Sequence, residues 1–240
     1  MRVFAIPYAG GNSYCYRTLS IAIDKAMQWE TLELPGRGKR LGESLLGTID
    51  EMALDVVRQI KLASPTAFAL FGHSMGGLVA HRVAEIMLRD EAQGIELTHL
   101  ILSGCRPPEF LDRRESRGRL SRAELIVEID KLGGLPALIR NDPEMMAFFE
   151  PILRADFGAV DQYRGGNTPP LKTPVLVLSG RDDQEVTAAH IDGWRGHFEQ
   201  PVQFSEFLGD HFYFLEHGEA LAQRIYEFLG FDRSCNKGVA

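Results

Sequence analysis

Residues 67–80 read AFALFGHSMGGLVA, an apolar run that stops at one serine between glycines before apolar residues resume. The beginning of this stretch predicts a buried strand, and residues 77–88 have the apolar spacing of a helix. A sharp turn between the two forces strained backbone dihedrals on Ser74, whereas Gly72 and Gly76 avoid steric clashes. The stretch therefore predicts a nucleophile elbow, which exposes the serine hydroxyl at the edge of a sheet.

The same alternation of strand and helix patterns continues along the chain. The predicted strands are residues 2–7, 29–36, 67–71, 97–104, 173–180 and 202–209, and the predicted helices include residues 13–23, 48–63, 77–88 and 217–229. Ser13 is the expected N-cap of the first helix. Near-continuous apolar strands are typical of a parallel sheet buried on both faces. We therefore predict an α/β fold with a mostly parallel, doubly wound sheet, in one domain over residues 1–240.

One region interrupts this alternation, between the fourth and fifth predicted strands, where nearly 70 residues have helical character. Ser121 and Glu124 match a capping box, and Asp142 and Pro143 match an N-cap and a first helical residue. Two interpretations remain open, an ordinary crossover with extra helices on the core or a lid that lines an apolar pocket. We expect a helical lid insertion over about residues 106–166.

A serine hydroxyl is a weak nucleophile near neutral pH, so it needs a general base that is itself oriented by an acid. The expected chain order after an elbow is serine, acid, histidine. His211 follows the last predicted strand, and Asp182 and Asp183 follow the strand before it, so all reach the same sheet edge as Ser74. Both aspartates are candidates. We favour Asp183, because hydrolases of this fold commonly show G-x-x-D-x-x-V, which residues 180–186 match.

The elbow also predicts an oxyanion hole, which needs two backbone N–H donors. Met75 directly follows the nucleophile at the start of a helix and supplies one donor. The second is expected from the exit of the first strand, PYAGG at residues 7–11, and Ala9 is the favoured residue. A phosphate-binding loop is the rival use of this glycine pair, but G-x-x-x-x-G-K-[ST] does not follow.

Composition excludes several other classes of function. The net charge of −7 gives no support for a nucleic-acid binder. The N-terminal apolar run is too short for a signal peptide, and no run of about 18 apolar residues predicts a membrane span. Three widely spaced cysteines make neither a metal-ligand pattern nor a disulfide framework. We therefore expect a cytoplasmic protein with no metal or other cofactor and no nucleic-acid or membrane partner.

Nearly the whole chain resembles the type II thioesterases of non-ribosomal peptide and polyketide synthesis, which have the α/β-hydrolase fold. The segments that carry the resemblance are PYAGG (7–11), LELPGRG (32–38), FALFGHSMGGLVAH (68–81), PILRADFGAVDQY (151–163), GRDD (180–183) and GDHFYF (209–214). The LPGRG segment and the stretch from LRAD to Tyr163 are more particular to this family than the elbow. The chain departs from the family pattern at Tyr8, where histidine is frequent, and at Asp210, where a second glycine is usual.

This resemblance implies that the protein hydrolyses acyl groups from the phosphopantetheine arm of carrier proteins. The implied activity is editing, which clears misloaded units through an acyl-enzyme, and the implied partners are acyl and peptidyl carrier protein domains that bear phosphopantetheine. Other possibilities remain open: a general carboxylesterase or lipase that acts on small esters, an acyltransferase that releases a product to another nucleophile, or a non-catalytic protein that keeps the fold.

An arginine-rich segment opens the predicted lid. Residues 113–122 contain five arginines and one glutamate, although the whole chain is negatively charged. Carrier proteins of this family are generally acidic, so a local basic patch would oppose their long-range repulsion from the chain. The segment is either a solvated charged loop, as charge runs usually are, or a docking patch for the carrier. The candidate docking residues are Arg113, Arg114, Arg117 and Arg119.

Overall fold

Six parallel strands form one sheet in the order β2-β1-β3-β4-β5-β6. The structure is a computed structural model that describes residues 1–23, 27–88, 94–111, 116–134 and 140–231. The strands are β1 (Arg2–Ile6), β2 (Gln28–Thr31), β3 (Ala67–His73), β4 (Glu96–Ser103), β5 (Val175–Gly180) and β6 (Gln203–Phe207). The prediction of a mostly parallel α/β sheet is confirmed.

Helices cover both faces of this sheet. They include α1 (Arg17–Ala22), α2 (Ile49–Ala63), α3 (Met75–Leu88), α4 (Arg122–Leu132), α5 (Pro143–Gln162), α6 (Ala188–Gly193) and α7 (Gly218–Phe228). Successive side chains of a strand point to opposite faces of the sheet. A strand that is apolar throughout therefore needs both faces of the sheet to be covered. One face packs against α2 and α3, and the other packs against α1 and α7. The sheet is therefore doubly wound, as predicted.

Two predicted boundaries are wrong, and the side chain of Glu33 accounts for both. Ser13 does not cap α1, because its hydroxyl donates to Glu33, with 2.8 Å between Oγ and Oε2. The second strand ends at Thr31 and does not continue to residue 36. Glu33 also accepts hydrogen bonds from the backbone amides of Ser13, at 3.0 Å, and Lys39, at 3.3 Å. These bonds fold the segment after β2 into a loop, so it cannot extend the sheet.

The chain between β4 and β5 contains α4 and α5, and both begin as the sequence predicts. Ser121 and Glu124 form the capping box of α4, and the Asp142 side chain accepts hydrogen bonds from two backbone amides in the first turn of α5. The two helices share an apolar cluster, against which Ala9 packs from the loop after β1. The buried members of this cluster are Leu125, Ile129, Leu153 and Phe157. Helices α4 and α5 therefore lie at the end of the sheet where β1 finishes.

The turn from β3 to α3 packs directly against the end of β1. A Cβ atom at Gly76 would lie 2.2 Å from the Ile6 carbonyl oxygen and 2.8 Å from the Pro7 carbonyl oxygen. A Cβ atom at Gly72 would lie 2.0 Å from the Gly76 carbonyl oxygen. These neighbours are backbone atoms of the central sheet and its helix, which cannot move aside as the end of a side chain can. Glycine at both positions therefore lets the start of α3 approach the exit of β1.

We expect Gly76→Ala to lower the free energy of unfolding by about 3 kcal/mol, because the added methyl group overlaps backbone atoms. Gly158→Ala in α5 is the matched control, since a Cβ atom there meets nothing within 4 Å. The control should be neutral or should stabilise the protein by up to about 1 kcal/mol through helix propensity. Urea unfolding of both variants measures the difference. Equal unfolding free energies would contradict the packing argument.

Candidate active site

Ser74 lies where β3 ends and α3 begins. Its φ angle is +55°, in the left-handed region that non-glycine residues rarely adopt. Two backbone hydrogen bonds hold it there: the Ser74 amide donates to the Ser103 carbonyl at 2.8 Å, and the Ser74 carbonyl accepts from the Gly77 amide at 2.9 Å. The side chain is half-buried in a cavity wall. This is the geometry of a nucleophile elbow.

His211 and Asp183 are in direct contact, with 2.8 Å between Nδ1 and Oδ2. The other carboxylate oxygen of Asp183 accepts hydrogen bonds from the amides of Glu185, at 2.8 Å, and Val186, at 3.2 Å. Both oxygens of Asp183 are thus occupied, and the imidazole is oriented through Nδ1, which leaves Nε2 for a reacting proton. Asp182, the other candidate acid, is exposed. The structure brings Asp183 to His211, and Ser74 and His211 line the same two cavities.

A second imidazole, His73, is packed beside His211 with 4.8 Å between the ring centroids. Its Nδ1 lies 2.9 Å from the Ser103 hydroxyl, which lies 2.6 Å from the Tyr213 hydroxyl. Burial, and then the proximity of His211, hold the pKa of His73 well below its ordinary value. His73 is therefore neutral. It is not among the predicted site residues, although its position next to Ser74 in the sequence was an available signal.

The two predicted oxyanion donors lie beside Ser74. Within the described residues, the backbone amides of Ala9 and Met75 donate to no protein acceptor. The amides of Gly10 and Gly11 are by contrast occupied, by Asp156 and by the Tyr8 carbonyl, both at 2.8 Å. Ala9, Ser74 and Met75 line one cavity together. Two unpaired N–H groups beside a serine, one of them at a helix N-terminus, can stabilise a developing negative oxygen.

Two cavities meet at Ser74, Ala9 and His211. The first, which we call the apolar cavity, has a volume of about 220 Å³. Most of its wall consists of aromatic and aliphatic side chains, namely Tyr8, Ile129, Leu132, Phe149, Leu153, Phe157 and Phe212. The second, which we call the polar cavity, has a volume of about 50 Å³ and is lined by Arg106, Arg117 and Glu185 among others. Helices α4 and α5 therefore supply much of the apolar wall.

Arg37 and Asp156 form a buried, bidentate ion pair close to the site. Nη1 lies 2.6 Å from Oδ2 and Nη2 lies 2.7 Å from Oδ1, and the two side chains are 3% and 0% exposed. Neither residue is among the site residues predicted from the sequence. The signal was present, because Arg37 lies in LPGRG and Asp156 lies in LRAD, the two stretches most particular to the family resemblance.

The arginines predicted to dock a carrier have different surroundings. Arg113 and Arg114 lie outside the described residues. Arg117 forms two hydrogen bonds with Glu185, at 2.9 and 2.7 Å, on the wall of the polar cavity. Burial, the largest single influence, raises the pKa of the Glu185 carboxyl, but the hydrogen bonds from Arg117 together with the charges of Arg117 and Arg106 lower that pKa below its ordinary value. Arg119 is exposed to solvent.

The described part of the chain contains no group of three or more histidine, cysteine, aspartate or glutamate side chains that could hold a metal ion. None of the helices described is long and apolar enough to cross a membrane. The groups that the site itself presents are a serine, an imidazole oriented by a carboxylate, and two backbone donors.

The thioesterase domain family matches residues 1–229 of this chain. Gramicidin S biosynthesis protein GrsT of Aneurinibacillus migulanus is 30% identical over 216 residues, which are 90% of this chain and 84% of that protein. Among solved structures, the type II thioesterase BorB from the borrelidin biosynthetic cluster has a TM-score of 0.85 at 32% identity, with 95% of this chain and 92% of that chain covered. The RedJ thioesterase from the prodiginine biosynthetic pathway in Streptomyces coelicolor has a TM-score of 0.85 at 32% identity, with 96% and 89% covered. The chain therefore belongs to the thioesterase domain family, in which it is a serine hydrolase of the type II kind with the α/β-hydrolase fold.

Proposed function

We propose that this thioesterase hydrolyses acyl groups from the phosphopantetheine arms of acyl and peptidyl carrier proteins, and so clears misloaded units from a non-ribosomal peptide or polyketide synthase. The observation that carries the proposal is the position of Ser74, strained and half-buried, in the same cavities as an imidazole bound to Asp183. The names of the relatives support the pathway, because GrsT serves gramicidin S biosynthesis and BorB comes from the borrelidin cluster.

In the proposed mechanism, the Ser74 hydroxyl oxygen attacks the thioester carbonyl while Nε2 of His211 takes its proton. The C–S bond then breaks, the proton passes to the departing thiolate and an acyl-enzyme remains. Water attacks that ester while His211 takes a proton from the water, the C–O bond to Ser74 breaks, His211 returns the proton to the Ser74 oxygen, and the free acid leaves. Asp183 keeps the imidazole in the required tautomer, and the amides of Ala9 and Met75 stabilise the oxyanion of both tetrahedral intermediates.

The apolar cavity supports an assignment of the acyl half of the substrate. The apolar cavity suits an acyl chain, because its wall is mainly aromatic and aliphatic. In this proposal residues 106–166 form the lid of a single domain and provide the wall through α4 and α5. We also propose a cytoplasmic location, since Cys15 and Cys105 are free thiols, as is usual in a reducing compartment.

Ser74→Ala should lower kcat by several orders of magnitude, and His211→Ala should cost nearly as much, because these residues act as a unit. A fluorophosphonate should label the unmodified enzyme on Ser74 with a stoichiometry of one, which peptide mass analysis measures. Labelling of another residue, or full activity of the Ser74→Ala variant, would refute the assignment.

Asp183→Asn should fold normally yet lose about 10⁴ in kcat, because the amide stabilises the wrong tautomer of His211. Asp182→Asn is the matched control, since Asp182 is the neighbouring residue and is exposed. Steady-state kinetics on one acyl-thioester compare the two variants. A larger loss for Asp182→Asn would reverse the assignment of the acid.

The alternatives differ in substrate and product. A panel of acyl groups on one carrier protein, compared with the same acyl groups as simple alcohol esters, separates an editing thioesterase from a general esterase. We expect kcat/KM to be higher on the carrier. Mass analysis of the product separates hydrolysis from acyl transfer, because only hydrolysis gives the free acid when other nucleophiles are present.

Carrier docking by the arginine-rich segment is now best tested at Arg119, because Arg117 is bound to Glu185 at the site. Arg119→Glu should lower kcat/KM for an acyl-carrier by about fivefold at low salt through slower association, and high salt should remove the difference. Lys172→Glu makes the same charge change at an exposed residue before β5, at the opposite end of that strand from the site. Hydrolysis of a short acyl-thioester without a carrier should not change. Equal losses on both substrates, or in both variants, would contradict docking at Arg119.

A further inference from the structure

The loop after β1 is hydrogen-bonded to α5 directly after Ala9, the proposed oxyanion donor. The amide of Gly10 donates to Oδ2 of Asp156 at 2.8 Å, and the carbonyl of Gly11 lies 3.4 Å from Nη1 of Arg37. The amide of Gly11 turns back to the Tyr8 carbonyl at 2.8 Å. Ala9, which lies between Tyr8 and Gly10, is therefore enclosed by bonded residues while its own amide remains unpaired.

Gly10 is also packed closely against α5. Gly10 has a φ angle of +77°, and a Cβ atom there would lie 2.7 Å from a terminal carbon of Leu153. Leu153 is one helical turn before Asp156 on α5, and both Leu153 and Phe157 line the apolar cavity. The helix that forms part of the proposed acyl wall is thus the same helix that holds the loop.

Stability alone does not explain why the buried contact between Arg37 and Asp156 is an ion pair. Replacing a buried ion pair by well-packed apolar side chains is often neutral or stabilising. An apolar pair could not, however, accept the Gly10 N–H group. Asp156 occupies that group, so Gly10 does not compete with the unpaired N–H of Ala9, the residue of this loop that lines the polar cavity with Ser74. Arg37 neutralises the carboxylate, which would otherwise repel a negative oxygen formed close to it.

We infer that Asp156 and Arg37 are positioning residues for the oxyanion hole: Asp156 on α5 holds the Gly10 amide and thereby fixes the Ala9 N–H, and Arg37 holds and neutralises Asp156. This inference rests on the proposed function, in which Ala9 supplies one oxyanion donor. It assigns to the LPGRG and LRAD segments a common task in transition-state stabilisation.

The test is Asp156→Asn, which keeps an acceptor for Gly10 but removes the charge that binds Arg37. We expect kcat to fall by about 10- to 100-fold with KM within about twofold, because a displaced donor affects the transition state more than the bound substrate. The affinity for an acyl trifluoromethyl ketone, which forms a tetrahedral oxyanion on the serine, should fall by the same factor. The affinity for the corresponding acyl-pantetheine amide, a ground-state analogue, should not change.

Asp55→Asn is the matched control for lost stability. Asp55 is buried on α2 and accepts a comparable pair of bonds from Arg40, at 2.6 and 3.0 Å, but it lines neither of the two cavities. This variant should lower the melting temperature and leave kcat and the ketone affinity within about twofold. If Asp156→Asn behaves like the control, or weakens the ketone and the amide equally, the positioning role is wrong.

Arg37→Lys provides a second measurement if Asp156→Asn is too unstable to assay. This variant keeps a positive charge and the Asp156–Gly10 hydrogen bond but removes the bidentate hydrogen bonding to Asp156. Matched losses in kcat and ketone affinity support the inference, and values equal to those of the unmodified enzyme overturn it. The Ser74→Ala variant distinguishes failure of the proposed function from failure of the positioning role. Full activity of Ser74→Ala would refute the serine mechanism, whatever the result for Asp156→Asn.

Discussion

The close approach of backbone to backbone at the β3–α3 turn is the constraint on which the site depends. Gly76 lies against the carbonyls at the exit of β1, and no side chain fits between them. Glycine also permits a close approach at two neighbouring strand ends, to a side chain at Gly104 and to backbone at Gly180. A Cβ atom at Gly104 would lie 2.5 Å from a ring carbon of His73, and one at Gly180 would lie 2.2 Å from the Asp210 carbonyl oxygen. Glycines thus let the loops that bear Ser74, Asp183 and His211 converge.

Two buried carboxylates lie at the candidate site, and their hydrogen-bond partners differ. Asp183 accepts hydrogen bonds from His211 and from two backbone amides, so it orients the imidazole that we propose as the base. Asp156 accepts hydrogen bonds from Arg37 and from Gly10, so it braces the loop that carries a proposed oxyanion donor. Both charges are buried, and each is compensated by several bonds, which a buried carboxylate requires.

The chain between β4 and β5 contacts the candidate site at three places. Through Leu153 and Phe157 it lines the apolar cavity, and through Asp156 it supports the loop after β1. A third contact comes from Arg117, which is bound to Glu185, two residues after Asp183. In the proposed function, one helix therefore links substrate selection to transition-state stabilisation, so we expect changes that widen the cavity on α5 also to affect the loop after β1.

The sequence by itself determined the alternation of strands and helices that is typical of an α/β fold, the elbow at Ser74 and the caps at Ser121 and Asp142, because each depends on periodicity or on residues within one turn. It also indicated that an aspartate and His211 reach the same sheet edge as the serine, since parallel strands end there together. Only the tertiary structure decided that Asp183 contacts His211 and that Ser13 binds Glu33 and so does not cap a helix. The pair Arg37–Asp156 joins residues 119 positions apart, and its existence depends on how α5 packs over the β1 loop, which no local spacing encodes.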